Sequence, residues 1–86
     1  MDIGLKGKNV VVTGAAGAIG HEICGGFASN GSNVIGVDIS DMSMTGEYVN
    51  SLGEDIQWSP YKIDLSSPES IHIGCRKIQD SFPEQL

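Results

Sequence analysis

The sequence predicts an α/β domain in which strands and helices alternate along the chain. Residues 10–12 form an unbroken valine run, which is typical of a strand buried on both faces of a parallel sheet. A glycine-rich turn, a helical pattern and a second apolar run follow over residues 14–37. Because two parallel strands are joined by a right-handed crossover, this order predicts a strand-helix-strand unit. The 86 residues have room for one small domain, residues 1–86.

The first half of the chain contains two predicted strands, Asn9–Thr13 and Asn33–Asp38, on either side of a helix over residues 18–30. Gly26 is expected near the inner face of this helix, where close packing on the sheet would offset the ~1 kcal/mol cost of an internal glycine. Gly31 is expected to end the helix in the left-handed conformation. Helical spacing predicts an inner stripe formed by Ile19, Ile23, Phe27, Cys24 and Ala28.

The next two elements are a weaker helix over residues 40–52 and a strand within residues 56–63. Asp41 is expected to cap the helix. Pro60 interrupts the strand, and because proline cannot donate to a ladder it indicates an edge position. The three strands are therefore expected in the spatial order 3-2-1. The residues expected to face inward from the helix are Tyr48, Val49 and Leu52.

A third helix is predicted to begin where Pro68 follows two serines. Ser66 and Glu69 have the spacing of a capping box, and an early proline suits the first helical turn. Pro83 is expected to end this helix. Its predicted inner stripe consists of Ile71, Cys75, Ile78 and Phe82, so both cysteines of the chain are expected to be small core residues.

Two successive right-handed crossovers would place the first two helices on one face of the sheet and the third helix on the other. The valine strand is then an open edge, and much of one face is uncovered. Exposed apolar edges favour pairing with another chain. We therefore expect a homo-oligomer, or domain swapping, through the edge formed by Val10 to Thr13.

The turn over residues 14–20, with glycines at its first, fourth and last positions, leads directly into the first helix. Such a helix start leaves its first N–H groups unpaired and directs the positive end of the helix dipole outward, which favours a phosphate. Asp38 follows Gly20 by 18 residues, close to the ~20-residue interval at which an acidic side chain binds a ribose hydroxyl. The combination predicts a dinucleotide site, and the alternative is a tight strand-helix turn in a ligand-free domain.

Several other functions are disfavoured by the sequence. The net charge of −6, without a basic cluster, argues against nucleic acid and anionic membranes as partners. His21 and Glu22 follow Gly20 where a P-loop has lysine and a hydroxyl residue, so triphosphate chemistry is not expected. His21 is expected to be solvated, with a phosphate contact as the alternative. Two histidines and two cysteines without paired spacing predict no metal site, and the absence of a disulfide pattern or signal peptide suggests a cytoplasmic protein.

These residues resemble the N-terminal part of the short-chain dehydrogenases/reductases. The resemblance rests on residues 5–8, on the turn Thr13-Gly14-Ala15-Ala16-Gly17-Ala18-Ile19-Gly20, on Asp38, and on Asp64-Leu65 before a helix start. It covers nearly the whole chain but only the first part of the family's fold, and it implies a partial Rossmann fold. One departure is the middle glycine, which stands at Gly17 where the ordinary branch has it at the position of Ala18. That spacing also resembles the extended branch of sugar-nucleotide epimerases and dehydratases.

The resemblance implies NAD as the cofactor. The glycine turn would hold the pyrophosphate, and Asp38 would bind the adenosine ribose. Asp64 and Leu65 would flank the adenine, and the Ile19 N–H would lie near the nicotinamide half. The cofactor-binding residues expected from it are Gly14, Ala16, Gly17, Ala18, Ile19, Gly20, Asp38, Ile39, Asp64 and Leu65. NAD is preferred over NADP because Asp38 would repel a 2′-phosphate, and the sequence suggests no cation near it.

The catalytic residues that the resemblance implies are absent from the chain. The family uses a Tyr-x-x-x-Lys pair, but Tyr48 is followed four residues later by Leu52, and Tyr61 by Leu65. The chain is therefore expected to bind dinucleotide, to be inactive alone, and to be a truncated part of an oxidoreductase that transfers hydride between NAD(H) and an alcohol/ketone pair. The alternatives are a non-catalytic nucleotide-binding or self-associating module, and a fragment of an extended-type epimerase or dehydratase.

Overall fold

A computed structural model describes residues 6–53 and 55–82, and it contains the predicted alternation of strands and helices. Leu5 of the family-like segment and Pro83, which is expected to end the third helix, lie outside the described residues. The elements, in chain order, are β1 (Asn9–Thr13), α1 (Ala18–Ser29), β2 (Asn33–Asp38), α2 (Ser43–Asn50), β3 (Trp58–Lys62) and α3 (Pro68–Ser81). Gly31 follows α1 with a φ of 85°, which confirms the predicted left-handed cap.

The three strands form one parallel sheet with β2 at its centre, in the order β1-β2-β3. This confirms the predicted order 3-2-1 and the partial Rossmann fold. Pro60 pairs in register with Gly36 on the outer strand β3, where a missing N–H leaves no internal ladder bond unmade. The carboxyl ends of all three strands lie at one edge of the sheet, because parallel strands run in the same direction.

Each face of the sheet has its own apolar core. On one face, Val12, Val34 and Val49 form a cluster that α1 and α2 cover. On the other face, Ile35 and Val37 pack against Ile78 of α3 together with Ile63. The prediction that the first two helices share one face is therefore confirmed.

The predicted inner stripe of α1 is confirmed at Cys24, Ala28 and the half-buried Phe27, but it is wrong at its two isoleucines. Ile19 is 78% exposed and Ile23 is 43% exposed, whereas the buried positions are Gly20, Cys24, Gly25 and Ala28. These residues are small, so the helix lies close to the sheet and to α2, and the larger isoleucines are left on the outside. Gly26 is also exposed rather than inward-facing, because the inner glycine is its neighbour Gly25.

Helix α2 packs on β3 through the indole of Trp58. A Cβ added at Gly36 would lie 2.8 Å from Trp58 Cζ3, and one added at Gly46 would lie 2.8 Å from its Nε1. Both glycines therefore make room for the ring. Val49 is buried and Tyr48 is half-buried as predicted, but Leu52 is 39% exposed because it lies after the last helical residue.

Helix α3 begins one residue later than the predicted capping box requires. Its N-cap is Ser67, whose hydroxyl accepts a hydrogen bond from the Ser70 N–H at 3.2 Å. Ser66 instead donates to Asp64, so the box with Glu69 is not formed.

The inner stripe of α3 also differs from the prediction at one position. Cys75 is exposed, and its expected place in the core is taken by Gly74, where an added Cβ would lie 2.5 Å from Ile63 Cγ1. The backbone of α3 therefore lies too close to Ile63, the residue that follows β3, for a side chain at this position.

Strand β1 is an edge of the sheet, with Val11 44% exposed. In the part of the chain that the structure describes, no helix has both the length and the apolar character needed to cross a membrane.

Candidate functional site

The turn between β1 and α1 has a backbone shape that depends on glycine. Gly14 has a φ of 69°, a conformation that side chains rarely adopt. The Gly17 N–H donates to the Gly14 carbonyl at 3.0 Å and closes the turn, and the Ala15 N–H donates to Val37 at 3.2 Å. The turn is thereby fixed to the carboxyl end of β2.

Gly20 lets the first turn of α1 lie directly on this glycine turn. A Cβ added at Gly20 would overlap the Gly14 carbonyl oxygen, and it would lie 2.7 Å from the Gly14 carbonyl carbon and 3.0 Å from Ala15 Cα. All three atoms belong to the backbone and cannot rotate away. A side chain at this position would therefore prevent the close packing of α1 on the turn.

The start of α1 carries N–H groups without a protein partner. Gly17 is the N-cap and provides no side-chain cap, and the first helical turn contains no acidic residue. Among the residues that the structure describes, no acceptor is found for the N–H groups of Ala18, Ile19 and Gly20, whereas the next one, His21, donates to Gly17 at 2.8 Å. Unpaired amides at the positive end of a helix favour an anion.

The Asp38 carboxylate lies beside this helix start. Its Oδ2 accepts a hydrogen bond from the Ala16 N–H at 2.9 Å, and its Oδ1 accepts one from the Ser40 N–H at 2.9 Å. These bonds, that from Ser40 first and that from Ala16 second, lower the pKa of Asp38 below its ordinary value. The group is therefore an anion at neutral pH, held against the turn and partly open to solvent.

A buried hydrogen-bond chain joins helix α2 to the glycine turn. The Thr45 hydroxyl, 1% exposed, donates to the Ala15 carbonyl at 2.8 Å and lies 3.1 Å from His21 Nδ1. Since the hydroxyl has one proton and gives it to Ala15, His21 must donate from Nδ1. The imidazole also stacks on Tyr48, with centroids 4.4 Å apart and planes at 12°.

The contact between His21 and α2 corrects the prediction that His21 is solvated. The side chain is half-buried and partnered by Thr45 and Tyr48. Thr45 was missed because a single threonine on a weak helix carries no sequence signal for a partner 30 residues away.

The residues expected near the adenine leave adjacent strands at the same edge of the sheet. The Ile63 N–H donates to the Asp38 carbonyl at 3.1 Å, so Ile39 and Asp64 begin from neighbouring ladder positions. Ile39 is 52% exposed and Leu65 is 51% exposed, which leaves apolar surface for a planar ligand. The Asp64 carboxylate accepts hydrogen bonds from the hydroxyl and N–H of Ser66, and these bonds lower its pKa.

A hollow of about 490 Å³ opens beside the Asp38 end of β2. Lys62 contributes to its wall and pairs in register with Asp38 on the neighbouring strand. This corrects the expectation that no cation lies near the acidic residue. The error arose because the two residues are distant in sequence and only the strand register brings them together. The hollow is lined by Ile39, Ser40, Asp41, Met42, Ser43, Trp58, Pro60 and Lys62.

Within residues 6–53 and 55–82, no group of three or more histidine, cysteine or acidic side chains could hold a metal ion. Cys24 is buried, and burial raises the pKa of its thiol above the ordinary value, which disfavours the thiolate.

The parallel strands, the helices that connect them and the glycine turn form a partial Rossmann fold. The family model of the short chain dehydrogenases matches residues 8–85, and the chain belongs to this family of oxidoreductases.

Curated relatives show the same similarity. The chain is 39% identical over 82 residues to an uncharacterised oxidoreductase of Schizosaccharomyces pombe, with 93% of this chain and 31% of the relative covered. It is 36% identical over 76 residues to a D-xylose 1-dehydrogenase of Caulobacter vibrioides, and the match covers 88% of this chain and 31% of the relative. The chain thus spans about a third of the length of these relatives.

Solved structures share the fold. L-sorbose reductase from Gluconobacter frateurii, complexed with NADPH and L-sorbose, is 25% identical with a TM-score of 0.83, covering 95% of this chain and 32% of that one. An NAD+-bound xylitol dehydrogenase is 23% identical with a TM-score of 0.84, and the match covers 93% of this chain and 31% of that one. Because the xylitol dehydrogenase is only 23% identical, its similarity to this chain concerns the fold alone.

Proposed function

We propose that this chain binds NAD(H) as the dinucleotide-binding part of a short-chain oxidoreductase. The observation that carries the proposal is the hydrogen bond of 2.9 Å between the Ala16 N–H and Asp38 Oδ2. It sets a carboxylate beside a helix start whose first amides are unpaired. A diphosphate and the ribose attached to it require this pair of groups side by side.

The proposed contacts follow from the geometry. The N–H groups of Ala18, Ile19 and Gly20 would hold the pyrophosphate, since they have no acceptor among the described residues. Asp38 would accept hydrogen bonds from the ribose hydroxyls, for which its ionised form is suited. The adenine would lie between the exposed side chains of Ile39 and Leu65. Further contacts come from the backbone of Gly14, Ala16 and Gly17, and from Asp64.

The proposed preference is for NAD over NADP. Asp38 is negatively charged and would repel a 2′-phosphate placed on the ribose that it binds. Similar structures do not decide the point, since one is complexed with NADPH and another is bound to NAD+. The argument for NAD therefore rests on the charge of this carboxylate.

The chemistry would be hydride transfer between NAD(H) and an alcohol/ketone pair. The nicotinamide supplies or accepts the hydride when the cofactor is bound. The residues of this chain bind and orient the cofactor, but the sequence contains no Tyr-x-x-x-Lys pair to handle the proton. The relatives are oxidoreductases, which supports this activity over that of the sugar-nucleotide epimerases for any longer protein that includes this unit.

Calorimetric titration with NAD+ tests the proposal. We expect binding by the 86-residue chain and a loss of about tenfold or more in Asp38→Ala, because hydrogen bonds to a charged group contribute ~1.5–3 kcal/mol. Asp80→Ala is a matched control, since Asp80 is an exposed aspartate on α3. An unchanged affinity in Asp38→Ala would show that the carboxylate does not bind the ribose.

A second candidate function is self-association through β1. This strand has an open edge, and Val11 is 44% exposed on it. Ile19 and Ile23 are also exposed, but they belong to α1, which covers the other face of the sheet. Unpaired strand edges bind other strands, so a second copy could pair along Val10 to Thr13.

A further inference from the structure

Lys62 lies opposite Asp38 at the carboxyl edge of the sheet. The two residues are register partners on neighbouring parallel strands, and such strands are ~4.8 Å apart. Lys62 lines the same hollow as Ile39, Ser40 and Asp41, the three residues that follow Asp38. The side chain is therefore on the side of the sheet where the ribose proposed for Asp38 would lie. Its long stem is exposed and can reach toward that ribose.

We propose that Lys62 is a specificity-determining residue that accepts the 2′-phosphate of NADP and weakens the discrimination imposed by Asp38. This inference rests on the proposed dinucleotide function. Lysine binds phosphate as a point charge, and Lys62 is the single cation among the described residues that line the hollow. No ion pair of Lys62 is found among the residues that the structure describes.

The neighbouring acidic residues do not neutralise Lys62 by direct contact. Both oxygens of Asp38 are engaged with the N–H groups of Ala16 and Ser40. Asp41 accepts two hydrogen bonds from Ser43, at 2.9 Å from its N–H and 2.5 Å from its hydroxyl. The ammonium group is thus available to an incoming phosphate, while the two carboxylates keep the site from selecting NADP outright.

Calorimetric titration of the 86-residue chain with NAD+ and with NADP+ tests the role of Lys62. In Lys62→Met, we expect the Kd for NADP+ to rise about fivefold, the upper range for a solvent-exposed charge pair. The Kd for NAD+ should change by less than about twofold, because the uncharged ribose hydroxyl gains little from the ammonium. Lys8→Met is the matched control, since Lys8 is exposed and precedes β1 at the opposite edge of the sheet.

A second measurement separates a local contact from an effect of net charge. Lys62→Arg should keep the affinity for NADP+, and the difference between Lys62→Met and the parent chain should vanish at about 1 M salt, where the screening length is ~3 Å. Equal changes for both dinucleotides in Lys62→Met, or an equal loss in Lys8→Met, would overturn the proposal. If the parent chain binds neither dinucleotide, the proposed function itself fails, and the role of Lys62 fails with it.

Discussion

Two glycines of helix α1 offer a matched test of how the glycine turn after β1 is built. A Cβ at Gly20 would overlap the backbone of Gly14 and lie 3.0 Å from Ala15 Cα. A Cβ at Gly26, in the same helix, would meet nothing within 4 Å. Gly20→Ala and Gly26→Ala therefore make the same chemical change in two different surroundings.

The magnitude follows from subtracting the two variants. Each gains ~1 kcal/mol of helix propensity over glycine, and this gain cancels in the difference. What remains is the overlap at Gly20, and overpacking typically costs ~1–3 kcal/mol. Because the atoms that are overlapped belong to the backbone, we expect the upper end, about 3 kcal/mol. For a domain of this size, ~4–8 °C per kcal/mol makes the melting temperatures differ by about 12–24 °C.

Urea unfolding followed by far-UV circular dichroism measures this difference, with thermal melting as a second readout. Gly26→Ala should unfold at a higher urea concentration than the parent chain, and Gly20→Ala at a lower one. Gly25→Ala should fall between them, since its Cβ would meet the rotatable end of Tyr48, 2.7 Å from the hydroxyl oxygen. Equal midpoints for Gly20→Ala and Gly26→Ala would refute the close packing of α1 on the turn.

Three further outcomes are expected. Thr45→Val should lower the free energy of unfolding by ~1–3 kcal/mol, because it leaves the Ala15 carbonyl unpaired, whereas Thr45→Ser keeps the hydroxyl; urea unfolding compares the two. The folded-state pKa of Asp38 lies below its unfolded value, so its contribution to stability is present above the ordinary pKa of 3.8 and is lost as the pH falls through the lowered value. Asp38→Asn should flatten that part of a stability profile measured between about pH 5 and pH 2. Light scattering should show self-association of the parent chain that Val11→Lys reduces, and a parent chain that stays monomeric would count against pairing along β1.

The order of the elements and of the strands was predictable because it depends on local patterns. The valine run, the glycine turn and the serine-proline start of α3 each determine the conformation of a few neighbouring residues. Pro60 indicated an edge strand because a missing N–H is a property of the residue itself. The same holds for the helix start and for Asp38, whose place at the tip of β2 follows from the strand that precedes it.

The inner faces of the helices were less predictable. In α1 the isoleucines at helical spacing are exposed, and the buried face is formed by small residues such as Gly20 and Cys24. In α3, Gly74 rather than Cys75 faces the sheet. Apolar periodicity predicts which residues are hydrophobic, but the approach distance between a helix and a sheet decides which of them fit between the two.

The sequence by itself determined the α/β class, the strand order and the position of the first helix start, because each follows from local signals such as the valine run, the glycine turn and Pro60. The tertiary structure alone decided that Thr45 holds the Ala15 carbonyl, that His21 stacks on Tyr48, and that Lys62 lies opposite Asp38. These contacts join residues more than 20 positions apart, and they exist only because strand register and helix packing fix the distances between separate elements.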